Sequence, residues 1–96
     1  MSVFMVIETL EIIDQETCIE YASKAKPIIE SFGGRYLASS DKVQPLGGGW
    51  EPMKMLIIHF PDMKTLLKCF DSEEYKAIVH LRKKALRGKS VIVPAL

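Results

Sequence analysis

Residues 53–62 read MKMLIIHFPD, a run whose apolar side chains occur at both parities. Met55 and Ile57 point one way, and Leu56, Ile58 and Phe60 the other. In an extended segment successive side chains alternate between the two faces of a sheet, so this strand needs apolar cover on both sides. Pro61 removes a backbone donor and stops it. Residues 2–12 repeat the pattern, with Val3, Met5 and Ile7 opposed to Phe4, Val6 and Leu10. Two strands that are greasy on both faces set the problem that the remaining residues have to solve.

Helices are signalled on either side. Asp14 offers an N-cap, Glu16 complements the helix dipole in the first turn, and Cys18, Tyr21, Ala22, Ala25, Ile28, Ile29 and Phe32 recur at helical spacing up to Gly33 and Gly34. Pro27 lies inside that stripe and predicts a kink or a break there. RYLASSDKVQPL (35–46) reads as a second, bent strand, and GGGWEP (47–52) as the loop after it. Asp62 caps a short helix with an apolar stripe of Met63, Leu66, Leu67 and Phe70. Asp71 and Glu74 stand at capping-box spacing before one further helix carrying Tyr75, Ile78, Val79, Arg82, Ala85 and Leu86, with Gly88 as its stop and SVIVPA (90–95) as the last strand. The order β-α-β-β-α-β predicts a single α+β domain over residues 1–96, a ferredoxin-like sandwich with a four-stranded antiparallel sheet and its helices on one face.

Helices on one face leave the other bare. On the first and third strands, either parity turned outward leaves about five large apolar side chains in water, on the order of 10 kcal/mol of unrealised burial. A patch of that size marks an interaction site, so a homodimer packed sheet against sheet is expected. A net charge of +1 gives no general attraction for nucleic acid or an anionic membrane. The sheet also lacks the displayed aromatic motif that RNA-binding sheets use. The N-terminal run has no basic leader and is interrupted by Glu8 and Glu11, which reads as a strand of a cytoplasmic protein. Cys18 and Cys69 fall at apolar helical positions and read as buried free thiols. No metal-ligand spacing, nucleophile elbow, phosphate loop or dinucleotide turn occurs, so neither a metal nor a nucleotide cofactor is expected.

PIIESFGGRYLA (27–38), the GGGWEP loop, MLIIHFPDM (55–63) and FDSEEYKAIVHLRKKA (70–85) together resemble a family numbered 1330 in the domain-of-unknown-function series, within the dimeric α+β barrel superfamily. The likeness spans nearly the whole chain. The sequence departs from the family pattern at Cys18, where an aromatic residue is usual, and at His59, where an acid is common. The resemblance implies the sandwich and the dimer. The wider superfamily includes cofactor-independent monooxygenases, lactone isomerases, dehydratases and haem-handling enzymes, among which the fold does not choose.

Candidate site residues follow from chemistry, each beside a structural alternative. His59 carries the imidazole on the MKMLIIHF strand, a side-chain type suited to proton transfer, and is the candidate general acid or base, or else a satisfied strand-end residue. Arg35 can grip a carboxylate or enolate with two parallel hydrogen bonds, or clamp Asp71 or Glu74. Trp50 can wall a pocket or plug the barrel end or dimer seam. Tyr21 and Tyr75 lie on the inward stripes of their helices and can share a cavity or merely fill a core. Asp71 and Ser72 read as caps before ligands. The basic cluster Arg82, Lys83, Lys84, Arg87 and Lys89 reads as the solvated C-terminal end of a helix. A cavity bounded by Tyr21, Arg35, His59 and Tyr75, with Trp50 at its mouth, is the expected site for a small organic carbonyl or aromatic ligand. Proton transfer or cofactor-free oxygenation is the expected chemistry. The alternative is a non-catalytic interaction module whose interior is filled by side chains.

Overall fold

The two strands that are apolar on both faces pair with each other at the centre of the sheet. In the computed structural model, which describes residues 1–96, β1 (Val3–Ile12) is followed by α1 (Gln15–Ser31), β2 (Arg35–Ser40), β3 (Lys54–Phe60), α2 (Met63–Phe70), α3 (Glu73–Lys76), α4 (Val79–Ala85) and β4 (Leu86–Pro94). The sheet is antiparallel throughout, in the order β2-β3-β1-β4. The register sets Phe4 opposite His59, Met5 opposite Ile58 and Ile7 opposite Leu56, and on the far side Val6 opposite Val91. Cross-strand partners share a face, so the register divides the sheet. Val3, Met5, Ile7, Tyr36, Leu56, Ile58 and Phe60 turn toward the helices and pack in or against the core. Phe4, Val6, Glu8, Met55, Ile57, His59, Arg35, Val91 and Val93 turn away from them.

Both expected aspartate caps form. Asp14 and Asp62 accept the backbone N–H of Thr17 at 3.2 Å and of Thr65 at 2.7 Å, and these bonds hold both carboxyls below the ordinary 3.8. Pro27 neither ends nor interrupts α1. It is exposed, as is Ser23 one turn back, so the carbonyl that Pro27 leaves without a donor faces water, and burial of Ala25 and Ile29 carries the helix through.

The second helical layer departs further from expectation. Asp71 ends α2 and does not cap the next helix, a role that falls to Ser72, whose Oγ accepts from Tyr75 N at 3.2 Å and donates to Cys69 O at 2.6 Å. The inward side of α2 is Leu66 and Cys69, while Leu67 and Met63 remain exposed. The single helix expected from Tyr75 onward is two, α3 and α4, divided at Ala77 and Ile78. Ile78 N bonds Tyr75 O and Leu81 N bonds Ile78 O, both at 3.0 Å, and this three-residue tightening lets Tyr75 and Ile78 both enter the core. Gly88 does not stop the helix. Ala85 does, because its carbonyl accepts from Ile13 N at 2.7 Å and Asp14 N at 3.1 Å, and the chain passes directly into β4. β2 is also shorter than the 35–46 segment, with a register shift between Tyr36 and Ala38.

The core is not evenly filled. Ile58, Phe60 and Cys69 are fully buried toward the end where Val3 pairs with Phe60. Gly34 closes that end: its N–H bonds Ile29 O at 2.9 Å, and a Cβ there would lie 2.5 Å from Ile29 Cγ2 and 2.8 Å from Ile29 O. Gly34→Ala therefore overpacks the junction of α1 and β2. Urea denaturation should show a loss of about 1–3 kcal/mol, and an unchanged midpoint would mean that this junction is looser than the contacts describe.

Candidate functional site

At the opposite end, where Thr9 pairs with Lys54 and Gly88, helices and sheet separate around a cavity of about 700 Å³. Small side chains open it: α1 presents Ala22 and Ala25 over a floor of Met5, Ile7 and Leu56. Of the 26 lining residues 17 are hydrophobic, and none is an aspartate, glutamate or histidine. The polar atoms that reach it are phenols, hydroxyls, a thiol and cations.

Two phenols meet across it. Tyr21 of α1 and Tyr75 of α3 place their hydroxyl oxygens 2.8 Å apart, with the rings edge to face at 6.4 Å. Phe70 braces Tyr75 at 4.8 Å, and the Ser72 cap fixes the backbone beneath it. One hydroxyl donates to the other, so the pair retains one O–H for a further acceptor. Burial, with the Tyr75 hydrogen bond second, pushes the Tyr21 hydroxyl far above its ordinary 10.0. Tyr36 of β2 also lines the cavity, and burial, reinforced by the Glu30 charge, pushes it up to about 12. These phenols are donors at neutral pH, not bases. The Lys26 ammonium lies 5.5 Å from the Tyr36 ring centre.

Tyr21 and Tyr75 are brought together as expected, but Arg35 and His59 are not with them. They are cross-strand partners on the outer face of the sheet, where the His59 ring meets Phe4 edge to face at 5.8 Å. With both parities of the central strands apolar, the sequence left open which face the helices would cover, and they cover the one opposite His59. Arg35 forms no ion pair with Asp71 or Glu74. Asp71 is exposed and pairs with Lys76 at 3.2 Å. Trp50 is also on the outer side, its Nε1 donating to Glu8 Oε1 at 3.3 Å, rather than at the cavity mouth. Glu8 is only 8% exposed beneath it, with the Lys89 ammonium 3.8 Å away. Asp71 and Ser72 do not line the cavity, though Ser72 holds Tyr75 in place.

Among the cavity residues that the sequence reading of the site did not name are Tyr36 and Arg82. Tyr36 was signalled by its place beside Arg35, one parity inward. Arg82 was signalled by the inward stripe Tyr75, Ile78, Val79, Arg82, Ala85, which outweighs its membership of the basic cluster. Cys69 is a buried free thiol, raised to about 11 by burial, and Cys18 is half-buried at the cavity wall. No group of acids, histidines or cysteines is placed to hold a metal ion, and no helix is long and apolar enough to cross a membrane.

A four-stranded antiparallel sheet with helices on one face and a two-phenol cavity between the layers defines a ferredoxin-like α+β protein. The chain belongs to the family described as Domain of unknown function (DUF1330), whose model matches residues 2–96. No curated protein matches it. Among solved structures, a protein of unknown function from Rhodopseudomonas palustris is similar over 99% of this chain and 82% of its own, with TM-score 0.82 and 14% identity. SnoaB, a cofactor-independent oxygenase from Streptomyces nogalater, is similar over 99% and 92% respectively, with TM-score 0.67 and 6% identity. A dimeric protein of unknown function and ferredoxin-like fold from Bacteroides fragilis is similar over 98% and 96%, with TM-score 0.56 and 9% identity. At these identities the likeness is one of fold.

The raised phenols carry a pH dependence. Both ionise near 10.0 when unfolded and only at higher pH when folded, Tyr36 at about 12 and Tyr21 above that. Their contribution to stability is thus whole below about pH 10 and is lost as pH climbs through 12. Urea midpoints measured from pH 9 to 12 should fall, and fall less steeply in Tyr21→Phe and Tyr36→Phe. An equal slope in all three proteins would show that the hydroxyls are not held in a water-poor site.

Proposed function

We propose that the chain binds a small, mainly apolar organic molecule with a carbonyl or hydroxyl oxygen, and that it does so as a homodimer joined through the outer face of its sheet. The observation that carries the ligand reading is the cavity of about 700 Å³ with one phenolic O–H to spare. Pockets of that size with a few convergent polar groups in an apolar lining are suited to small-molecule binding. A core filled by side chains, the premise of the interaction-module alternative, does not fit such a space.

The lining also bears on the chemistry. With no carboxylate or imidazole facing the cavity, a bound carbon acid has no protein base beside it. Tyr21 and Tyr75 supply the complementary half, a donor aimed at a carbonyl oxygen, which stabilises an enolate as charge builds there. This favours substrates acidic enough to enolise unaided. Isomerisation of such a compound moves one proton from carbon to a second site. Cofactor-free oxygenation, the activity named for SnoaB, uses the electron-rich enolate or phenolate itself as the donor to dioxygen. His59 is available to neither from its own subunit's outer face.

The dimer reading rests on that outer face, where Val91 is 59% and Val93 45% exposed beside Phe4, Val6 and Ile57. It agrees with the dimeric state of the Bacteroides fragilis protein. Val91→Lys should give a folded monomer by analytical ultracentrifugation at concentrations where the parent is a dimer. A parent that sediments as a monomer sinks the assignment.

For the cavity, the neutral probe is 2-naphthol, followed by calorimetry. The double variant Tyr21→Phe/Tyr75→Phe, which removes the last phenolic O–H of the pair, should weaken it by roughly fivefold, the worth of one hydrogen bond, and Ala22→Phe should abolish binding by filling the space. A folded parent protein that binds no 2-naphthol overturns the ligand reading.

A further inference from the structure

We propose that Arg82 is the anion receptor of this cavity, and that the ligand therefore carries a carboxylate or comparable oxyanion beside its apolar body. The inference rests on the reading of the cavity as a ligand site and deepens it.

Arg82 is the member of the basic cluster that does not behave as a solvated surface residue. Of the other members, Lys83 and Lys84 are exposed, Arg87 Nε lies 3.1 Å from Glu11 Oε1, and Lys89 Nζ lies 3.8 Å from Glu8 Oε1. Arg82 has no carboxylate within 4.0 Å and donates no side-chain hydrogen bond, yet it is half-buried against the cavity. Arg82 is thus packed against the cavity with its guanidinium free to take an acceptor. The backbone makes room for it. A Cβ at Gly88 would lie 2.8 Å from Glu8 O, a backbone clash that calls for glycine, and the same bare position lets Arg82 Nη2 come within 3.2 Å of where that Cβ would be. Its charge is also felt by Tyr21, where it works against the effect of burial.

The surroundings leave the position open to an anion. No acid lines the cavity to neutralise Arg82, while Lys26, Lys54 and Lys83 add positive charge around it. None of these replaces it: the Lys26 ammonium is engaged over the Tyr36 ring, and a lysine lacks the planar fork that grips two oxygens at once. Arg35, the anion-holding residue expected from the sequence, is on the outer face. A ligand with its apolar body over Met5, Ile7 and Leu56 then has two polar anchors, the phenol pair and the guanidinium.

The test compares isosteric probes, 2-naphthoate and its uncharged counterpart 2-naphthamide, by calorimetry at neutral pH. The carboxylate should bind roughly tenfold or more tightly. Arg82→Gln should bring the two within about twofold of each other, chiefly by weakening the carboxylate. Arg82→Lys should restore only part of the preference. In the parent protein, which needs no substitution, the Arg82 Nε–Hε resonance should move on adding naphthoate and not on adding naphthamide. If 2-naphthol and both probes bind but the carboxylate has no advantage, the anion assignment fails while the cavity reading stands. If the advantage survives Arg82→Gln, a lysine is the receptor and the assignment to Arg82 fails. If nothing binds to the folded protein, both readings fail together.

Discussion

Everything in this fold follows from β1 and β3 being apolar on both faces while one chain supplies helices for only one. The helices bury Val3, Ile58 and Phe60 almost completely, and that choice of parity sorts every polar candidate into two sets. Tyr21, Tyr36, Tyr75 and Arg82 fall inside, and Glu8, Arg35, Trp50 and His59 outside. For the strand residues Glu8, Arg35, Tyr36 and His59 the sorting is absolute, because a side chain on a strand changes face only if the register slips by one residue. Seven ladder pairs between β1 and β3, from Val3–Phe60 to Thr9–Lys54, hold that register fixed.

Inside, burial turns ordinary groups into directed ones. A phenol in water is a weak donor among many, but the Tyr21–Tyr75 pair is bridged at 2.8 Å, Tyr75 is buried, and burial keeps the Tyr21 hydroxyl protonated well past neutrality. The short α3 exists to hold one half of that pair. Its Ser72 cap and the break at Ala77–Ile78 aim Tyr75 and Ile78 at the core, and then redirect α4 so that Arg82 and Ala85 follow on the same side. A single straight helix from Glu73 to Leu86 would drift in phase along that stripe, whereas the break resets it.

The strands, the order of the elements, the caps Asp14 and Asp62, the free thiols and the aromatic pair were legible because each depends on local chemistry or on a period of the chain. What was not legible depends on competition between near-equal local options. Either parity of MKMLIIHF could have faced the helices, so His59 and Arg35 could not be assigned a side. Asp71 and Ser72 are both good caps, and the choice fell to the hydroxyl that also reaches Cys69 O. Leu67 and Cys69 are both apolar, and the smaller one fits under α2. Pro27 marks a helix interruption in isolation, but the packing of Ala25 and Ile29 on either side of it dominates. Gly88 resembled a helix stop because the close approach that requires it, to Glu8 O, lies across the sheet and not along the chain.

β1 belongs to both faces at once. Met5, Ile7 and Thr9 floor the cavity, while Phe4, Val6 and Glu8 alternate with them on the outer side. Near the open end the register of β1 against β4 shifts between Thr9 and Glu11, so the ladder is weakest beside the cavity. Trp50 and Lys89 clamp Glu8 from outside at that same point, and Gly88 sits opposite Thr9 within reach of Arg82. Packing applied to the outer face therefore bears on the strand segment that shapes the cavity floor and on the glycine that seats the guanidinium. A chain this short has no separate layer to insulate the outer face of its sheet from its interior, and one strand must serve both.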